Sequence, residues 1–189
     1  ETVASVDENG KVTAKAAGTA VITATSAAGK TAQYKLTVKT PSVKLNASAK
    51  TLYVKGSPAT VTLKATTAGV TGKVTYTSSK PSVVAVAANG KVTAKAAGTA
   101  VITAKCGNYK ATCKITVKKP SVKASASAKT VFVGGTSQIK VKKTGVSGKV
   151  TYTSSNKSVA VVSAGGKVTA KKAGTATITV KCGSYKATC

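Results

Sequence analysis

The sequence predicts an all-β protein of tandem β-sandwich domains, the first present only as its C-terminal half. Three observations carry this. Apolar residues alternate with Lys and Thr at a period of two rather than 3.6. Glycine-bearing turn signals separate short runs, about seven per unit. The chain also repeats itself: GKVTAK stands at Gly10–Lys15, Gly90–Lys95 and Gly166–Lys171, at spacings of 80 and 76 residues.

Other repeated strings set the domain limits. KVTYTSS occurs at Lys73–Ser79 and Lys149–Ser155, and PSVK at Pro41–Lys44 and Pro120–Lys123. CGNYKATC at Cys106–Cys113 recurs as CGSYKATC at Cys182–Cys189. Residues 41–119 make one whole repeat, and residues 120–189 make a second that lacks its last strand. Residues 1–40 match only the C-terminal half of a repeat. The chain therefore reads as a window on a longer array. The alternative is a half-domain completed by a strand from another chain.

Each element follows from the alternation. Asn9-Gly10, Asn89-Gly90 and Gly165-Gly166 each separate two alternating runs and predict two-residue hairpins. After Asn89-Gly90, Val92 and Ala94 face one way and Lys91, Thr93 and Lys95 the other. Ala100, Ile102, Ala104 and Cys106 share the inner face of the next run, with Val101, Thr103 and Lys105 opposite. Cys113, Ile115 and Val117 alternate with Lys114, Thr116 and Lys118. Thr and Val favour strands, and outward Lys keeps sheet edges from pairing with neighbours. Tyr53 and Phe132, which replace one another between repeats, read as core. The linker Lys118-Lys119-Pro120 is short and Pro limits its bend, which predicts a semi-rigid rod.

Composition narrows the chemistry. The 189 residues include 30 lysines, no arginine and no histidine, against three acids, for a net charge of +27. The acids are Glu1, Asp7 and Glu8, so no carboxylate side chain follows Glu8. General acid–base catalysis draws on His, Asp and Glu, and calcium or magnesium on carboxylate oxygens. No enzyme, catalytic residue, metal site or cofactor is therefore expected. Ser–Lys pairs are too numerous to signify anything. Ala, Thr, Lys and Val supply 120 of the 189 residues, and Leu, Ile, Val and Phe just under a fifth. With this charge, that composition borders on the disordered class, so periodicity is what argues for folding. No apolar run is long enough for a membrane span.

At Tyr76–Ala104, at its near copy Tyr152–Val180 and at Val3–Ala24, the chain resembles the bacterial immunoglobulin-like domain, group 2. The features are a Val-Thr-aromatic-Ser-Ser start and a Gly-Lys-Val…Ala-Gly-Thr-Ala core. The family's aromatic is often Trp; here it is Tyr76 and Tyr152. The resemblance implies immunoglobulin-like sandwiches, which occur as modules in bacterial surface proteins, adhesins, secreted enzymes and phage virion proteins. A fold does not decide among these, and no binding motif of the family carries over to particular residues here.

Each cysteine pair spans six residues across a predicted hairpin. Residues symmetric about a turn face one another, so Cys106–Cys113 and Cys182–Cys189 are expected to form disulfides, each contributing roughly 2–3 kcal/mol. Buried free thiols are the alternative, and a shared four-cysteine metal site a remote one. Disulfides would place the chain in an oxidising compartment.

The lysines lack carboxylate partners. One reading is a solvated, aggregation-resistant surface. The sharper one is an anionic partner, such as a polysaccharide or cell-wall polymer, or neighbouring copies in a fibre. Candidate anion-binding residues are Lys91, Lys95, Lys105, Lys114, Lys118, Lys167, Lys171 and Lys181. The absence of Arg and the scarcity of aromatics weigh against sequence-specific nucleic-acid recognition. Tyr109 and Tyr185 occupy equivalent hairpin tips; they are candidate exposed contacts, with packing onto their own domain as the alternative.

The functional expectation is a non-catalytic stalk, fibre or adhesive segment of a secreted or surface-attached bacterial protein. A phage virion decoration or tail module and an accessory module of a larger secreted enzyme are the alternatives.

Overall fold

The computed structural model describes residues 2–189; Glu1 lies outside the described residues. Among the described residues all regular structure is β, in twenty strands.

The first segment folds as two hairpins. β1 (Ala4–Val6) pairs antiparallel with β2 (Val12–Ala14), and β3 (Gly18–Thr25) with β4 (Thr31–Val38). The period-two alternation has few inner partners here, so Val6, Val12, Val21 and Tyr34 stay exposed.

In the second repeat, β5 (Ser42–Leu45) pairs antiparallel with β8 (Ala65–Ala68). β7 (Thr60–Thr62), β10 (Val84–Val86) and β11 (Lys91–Ala94) form a sheet with β11 central. β6 (Ala49–Tyr53), β13 (Tyr109–Lys118), β12 (Gly98–Cys106) and β9 (Thr75–Ser78) form another in that order. β13 runs parallel to β6, with Lys114 opposite Ala49 and Lys118 opposite Tyr53. The inward residues Leu52, Leu63, Val84, Val92, Ala100, Ile102, Ile115 and Val117 are all at or below 3 % exposure. Their burial is the main stabilising term, at about 25 cal/mol per Å² of apolar surface.

The third repeat is a two-sheet sandwich. β14 (Ser121–Ala126), β15 (Thr136–Thr144), β18 (Lys167–Ala170) and β17 (Ala160–Val162) form one sheet. β16 (Val150–Ser154), β19 (Ile178–Cys182) and β20 (Tyr185–Thr188) form the other. Val122, Ile139, Ala160, Val168, Ile178, Val180 and Cys182 make the core between them.

The chain divides into two compact units. One gathers the chain up to Asn46 with Ala65–Thr75 and Ala104–Ala111. The other comprises Ala47–Lys64, Tyr76–Thr103 and Thr112–Cys189. The second repeat supplies strands to both.

The turns differ from expectation. At Asn89-Gly90 the Gly90 N–H donates to Ala87 O (2.9 Å) and the Ala87 N–H to Lys91 O (2.9 Å). This is a three-residue loop, not a two-residue one, with Gly90 at φ +79° closing a type I turn. Asp7–Lys11 and Ser163–Lys167 repeat the pattern. Two-residue turns occur instead at Gly107-Asn108 and Gly183-Ser184, between β12 and β13 and between β19 and β20, where each Gly has a positive φ.

The Phe132 expectation fails as well. Phe132 is 93 % exposed, whereas Tyr53 is half-buried. Tyr53 ends β6, which β13 covers; residues 128–132 have no corresponding strand beside them.

Candidate functional site

The hairpin register decides the fate of the cysteines. Across Gly183-Ser184, Cys182 faces Tyr185 and Val180 faces Ala187. Cys189 therefore falls opposite Ile178, and the two exchange N–H···O bonds of 2.7 and 2.9 Å. Four strand residues, roughly 13 Å, then separate Cys182 from Cys189, about twice the span of a disulfide. Cys106 and Cys113 flank the same two-residue turn, and the same argument applies. In the first segment Tyr34, which takes the place of Cys113, faces Ile22 in the same register. The expected Cys106–Cys113 and Cys182–Cys189 disulfides are thus corrected: all four are free thiols. The error came from centring the turn midway between the cysteines, when the left-handed glycine centres it two residues earlier.

The first cysteine of each pair has another partner. The Cys106 thiol lies 3.3 Å from Gly72 O, and the Cys182 thiol 3.4 Å from Gly148 O. Each thiol donates to the turn that leads into β9 or β16. Burial pushes the Cys113 thiol above the usual range, against a smaller opposing pull from Lys50. Among the described residues no three His, Cys, Asp or Glu side chains gather as metal ligands would. Among the described residues no helix is long and apolar enough to cross a membrane.

All eight candidate lysines are exposed: Lys91, Lys95, Lys105, Lys114, Lys118, Lys167, Lys171 and Lys181. The structure does not gather them into one patch. Lys91 faces Thr62, Lys167 faces Gln138, and Lys114 and Lys118 line β13 beside β6. Lys181 differs, because its direct cross-strand partner is Lys186. A second pair of this kind, Lys123 opposite Lys142, lies on β14 and β15 next to the Ser125–Lys140 pair. Like charges directly opposite destabilise a ladder. Lys123, Lys142 and Lys186 escaped the sequence reading; alternation showed them facing outward, but pairing across strands needs the register.

Tyr185 packs against the core of its own sandwich. Tyr109, at the equivalent position, is 37 % exposed.

A joint also forms where the third repeat meets the loop that follows β6. The Ser57 N–H donates to Gly145 O (3.0 Å). Gly145 has φ +63°, and a Cβ there would land on the Tyr53 ring. A Cβ on Gly56 would meet the Pro120 ring at 2.5 Å. These residues also went unread in the sequence; the signal was Gly69 and Gly145, each before a Val at matching places in two repeats.

The family model described as bacterial Ig-like domain matches residues 72–119, and the bacterial Ig-like domain (group 2) model matches residues 115–189. No curated protein matches the chain. Among solved structures it is similar to the S-layer protein rSbsC(31-844), at 23 % identity and TM-score 0.52, covering 98 % of this chain and 36 % of that one. Domains 1–6 of surface layer protein SbsC give 22 % identity and TM-score 0.52 over the same shares. Domains 4 and 5 of SbsC give 26 % identity and TM-score 0.49, covering 79 % of this chain and 95 % of that one. The chain thus spans about a third of the length of the larger S-layer chains. The two-sheet sandwich, the repeated Gly-Lys-Val…Ala-Gly-Thr-Ala strands and the family matches agree: over residues 72–189 this chain belongs to the bacterial Ig-like domain family.

Proposed function

We propose that this chain is a non-catalytic segment of a secreted or surface-attached bacterial protein, a stalk or fibre element whose lysine faces hold anionic polymer. The family supports a structural or adhesive module, and the Ser57–Gly145 joint supports an array in which one repeat seats on the next. Likeness to an S-layer protein is in keeping with a surface location. The observation that carries the polymer reading is the cross-strand pairing of Lys181 with Lys186 and Lys123 with Lys142. No carboxylate side chain follows Glu8 to compensate them. A phosphate- or carboxylate-bearing chain laid across these faces would relieve the repulsion.

Thermal unfolding and binding with a teichoic-acid-type polyphosphate and with an acidic polysaccharide, at rising salt, test this. Binding that raises Tm and fades above a few tenths molar salt is expected, because exposed charges are screened there. Absence of binding at about 10 mM salt would leave the lysines as a solvated surface.

A further inference from the structure

The two outer faces of the third repeat carry their lysines differently. On β15, Ser137, Ile139 and Val141 turn inward, so Gln138, Lys140 and Lys142 turn outward. The neighbouring strands complete three successive levels across this face. Lys142 lies opposite Lys123, Lys140 opposite Ser125, and Gln138 opposite Lys167. Every level holds at least one lysine, and adjacent levels are two residues apart, about 7 Å. The other face is built otherwise. Thr151, Lys181 and Lys186 make one level, and the next is threonine only: Thr153, Thr179 and Thr188.

A shallow trough of about 370 Å³ lies between Lys123, Ser125, Lys140 and Lys142, with Ala124 and Val141 also lining it. No carboxylate side chain follows Glu8, so the sandwich has no acidic side chain to pair with these cations. β14, β15 and β18 contain no aromatic residue. The second repeat lacks this arrangement. There Thr66 stands opposite Lys44, where Lys142 stands opposite Lys123. β7 and β8 are also interrupted at Leu63 and Lys64, where β15 is continuous.

We propose that this face, through Lys123, Lys140, Lys142 and Lys167, is a binding site for a phosphodiester chain linked by three-carbon polyols. The proposal rests on the anionic-polymer reading and adds to it a site and a ligand class. Spacing carries the choice. Six covalent bonds separate successive phosphorus atoms in such a chain, and six backbone bonds separate residues i and i+2 of a strand; each path spans about 7 Å when extended. Successive phosphates laid along β15 therefore fall at successive levels, and each level supplies a cation. Lys presents a compact point charge and lacks the planar fork that matches a carboxylate. A polyuronate carries its carboxylates on rigid rings, whose intervals do not adjust to the levels. Single-stranded nucleic acid shares the six-bond repeat, but it gains affinity by stacking bases on aromatic side chains, and this face offers none.

The test titrates the full chain with poly(glycerol phosphate), with a polyuronate of equal charge and with single-stranded oligo(dT), from about 10 mM salt upward. The first should bind at least about tenfold more tightly than either of the others. Lys140→Thr/Lys142→Thr should weaken that binding at least about tenfold and lower the slope of log K against log salt by about two. Lys181→Thr/Lys186→Thr removes the same charge from the other face and should change affinity less than about twofold. Thr favours strands and each change removes a like-charge pair, so both variants should keep the parent's Tm or exceed it. The comparison of polymers on the parent chain stands apart from the folding of either variant. Equal losses from the two double variants, polyuronate bound as tightly as the polyol phosphate, or tighter binding of oligo(dT) would each overturn the proposal alone. Absence of binding by all three would remove it together with the anionic-polymer reading.

Discussion

Cys189 lies opposite Ile178, their backbones joined by two hydrogen bonds, and Cys182 lies opposite Tyr185. That register separates cysteines that look paired in the sequence. Alkylation after unfolding without reductant should therefore add four labels, and in the folded protein Cys189 should react first because it alone of the four is not fully buried. A native mass lower by two or four hydrogens would refute the register.

The Cys113 thiol gives a pH dependence. Its folded pKa is raised by burial, so the folded state favours the neutral thiol. The associated stability is present below the unfolded pKa, near 8.5, and is lost as pH rises through the folded value. Stability should thus fall above about pH 9, and Cys113→Ala should flatten that part of the profile while lowering the plateau. Urea midpoints from pH 7 to 10 for the two proteins would decide; parallel profiles would remove the assignment.

Gly145 and Gly183 share a left-handed backbone, but only Gly145 faces a ring. Gly183→Ala should cost about 1 kcal/mol from conformation alone. Gly145→Ala should cost at least about 1 kcal/mol more, because Tyr53 must move. Tyr53→Ala should cancel that excess in a double-mutant cycle, and a cycle with no coupling would mean that the joint is loose.

Lys142→Glu places opposite charges across β14 and β15. It should stabilise the third repeat by about 0.5 kcal/mol at low salt, and the gain should shrink as salt rises. The same change should weaken polyanion binding. A variant that is stabilised yet binds as before would separate this ladder from the binding face.

Ile102 and Ile178 occupy equivalent positions, one in the closed core of the second repeat and one lining an open groove of the third. Ile102→Ala should cost roughly 3–4 kcal/mol, and Ile178→Ala clearly less, because part of its surrounding space is already empty. Equal losses in denaturant titrations would mean that the groove is closed in solution.

Strand identity and the facing of most strand residues were legible in the sequence. They depend on local alternation and on repeated strings: Ile102, Ala104, Cys113 and Ile115 are buried while Lys105 and Lys114 are exposed, as period two requires. The bacterial Ig-like family was legible for the same reason. Turn length was not, because Asn89-Gly90 and Gly107-Asn108 look alike as turn signals. Which loop forms depends on whether Gly closes a type I turn or opens a two-residue one. That choice sets the register, and register decided the state of the cysteines, the Lys123–Lys142 and Lys181–Lys186 pairs, and the direction of the ladder at Cys189. Burial of Tyr53 and exposure of Phe132 needed the tertiary structure too, since near-identical segments acquire different environments when only one has a strand beside it. Alternation is local and written in residue order, whereas pairing is a relation between distant segments that the folded chain alone supplies.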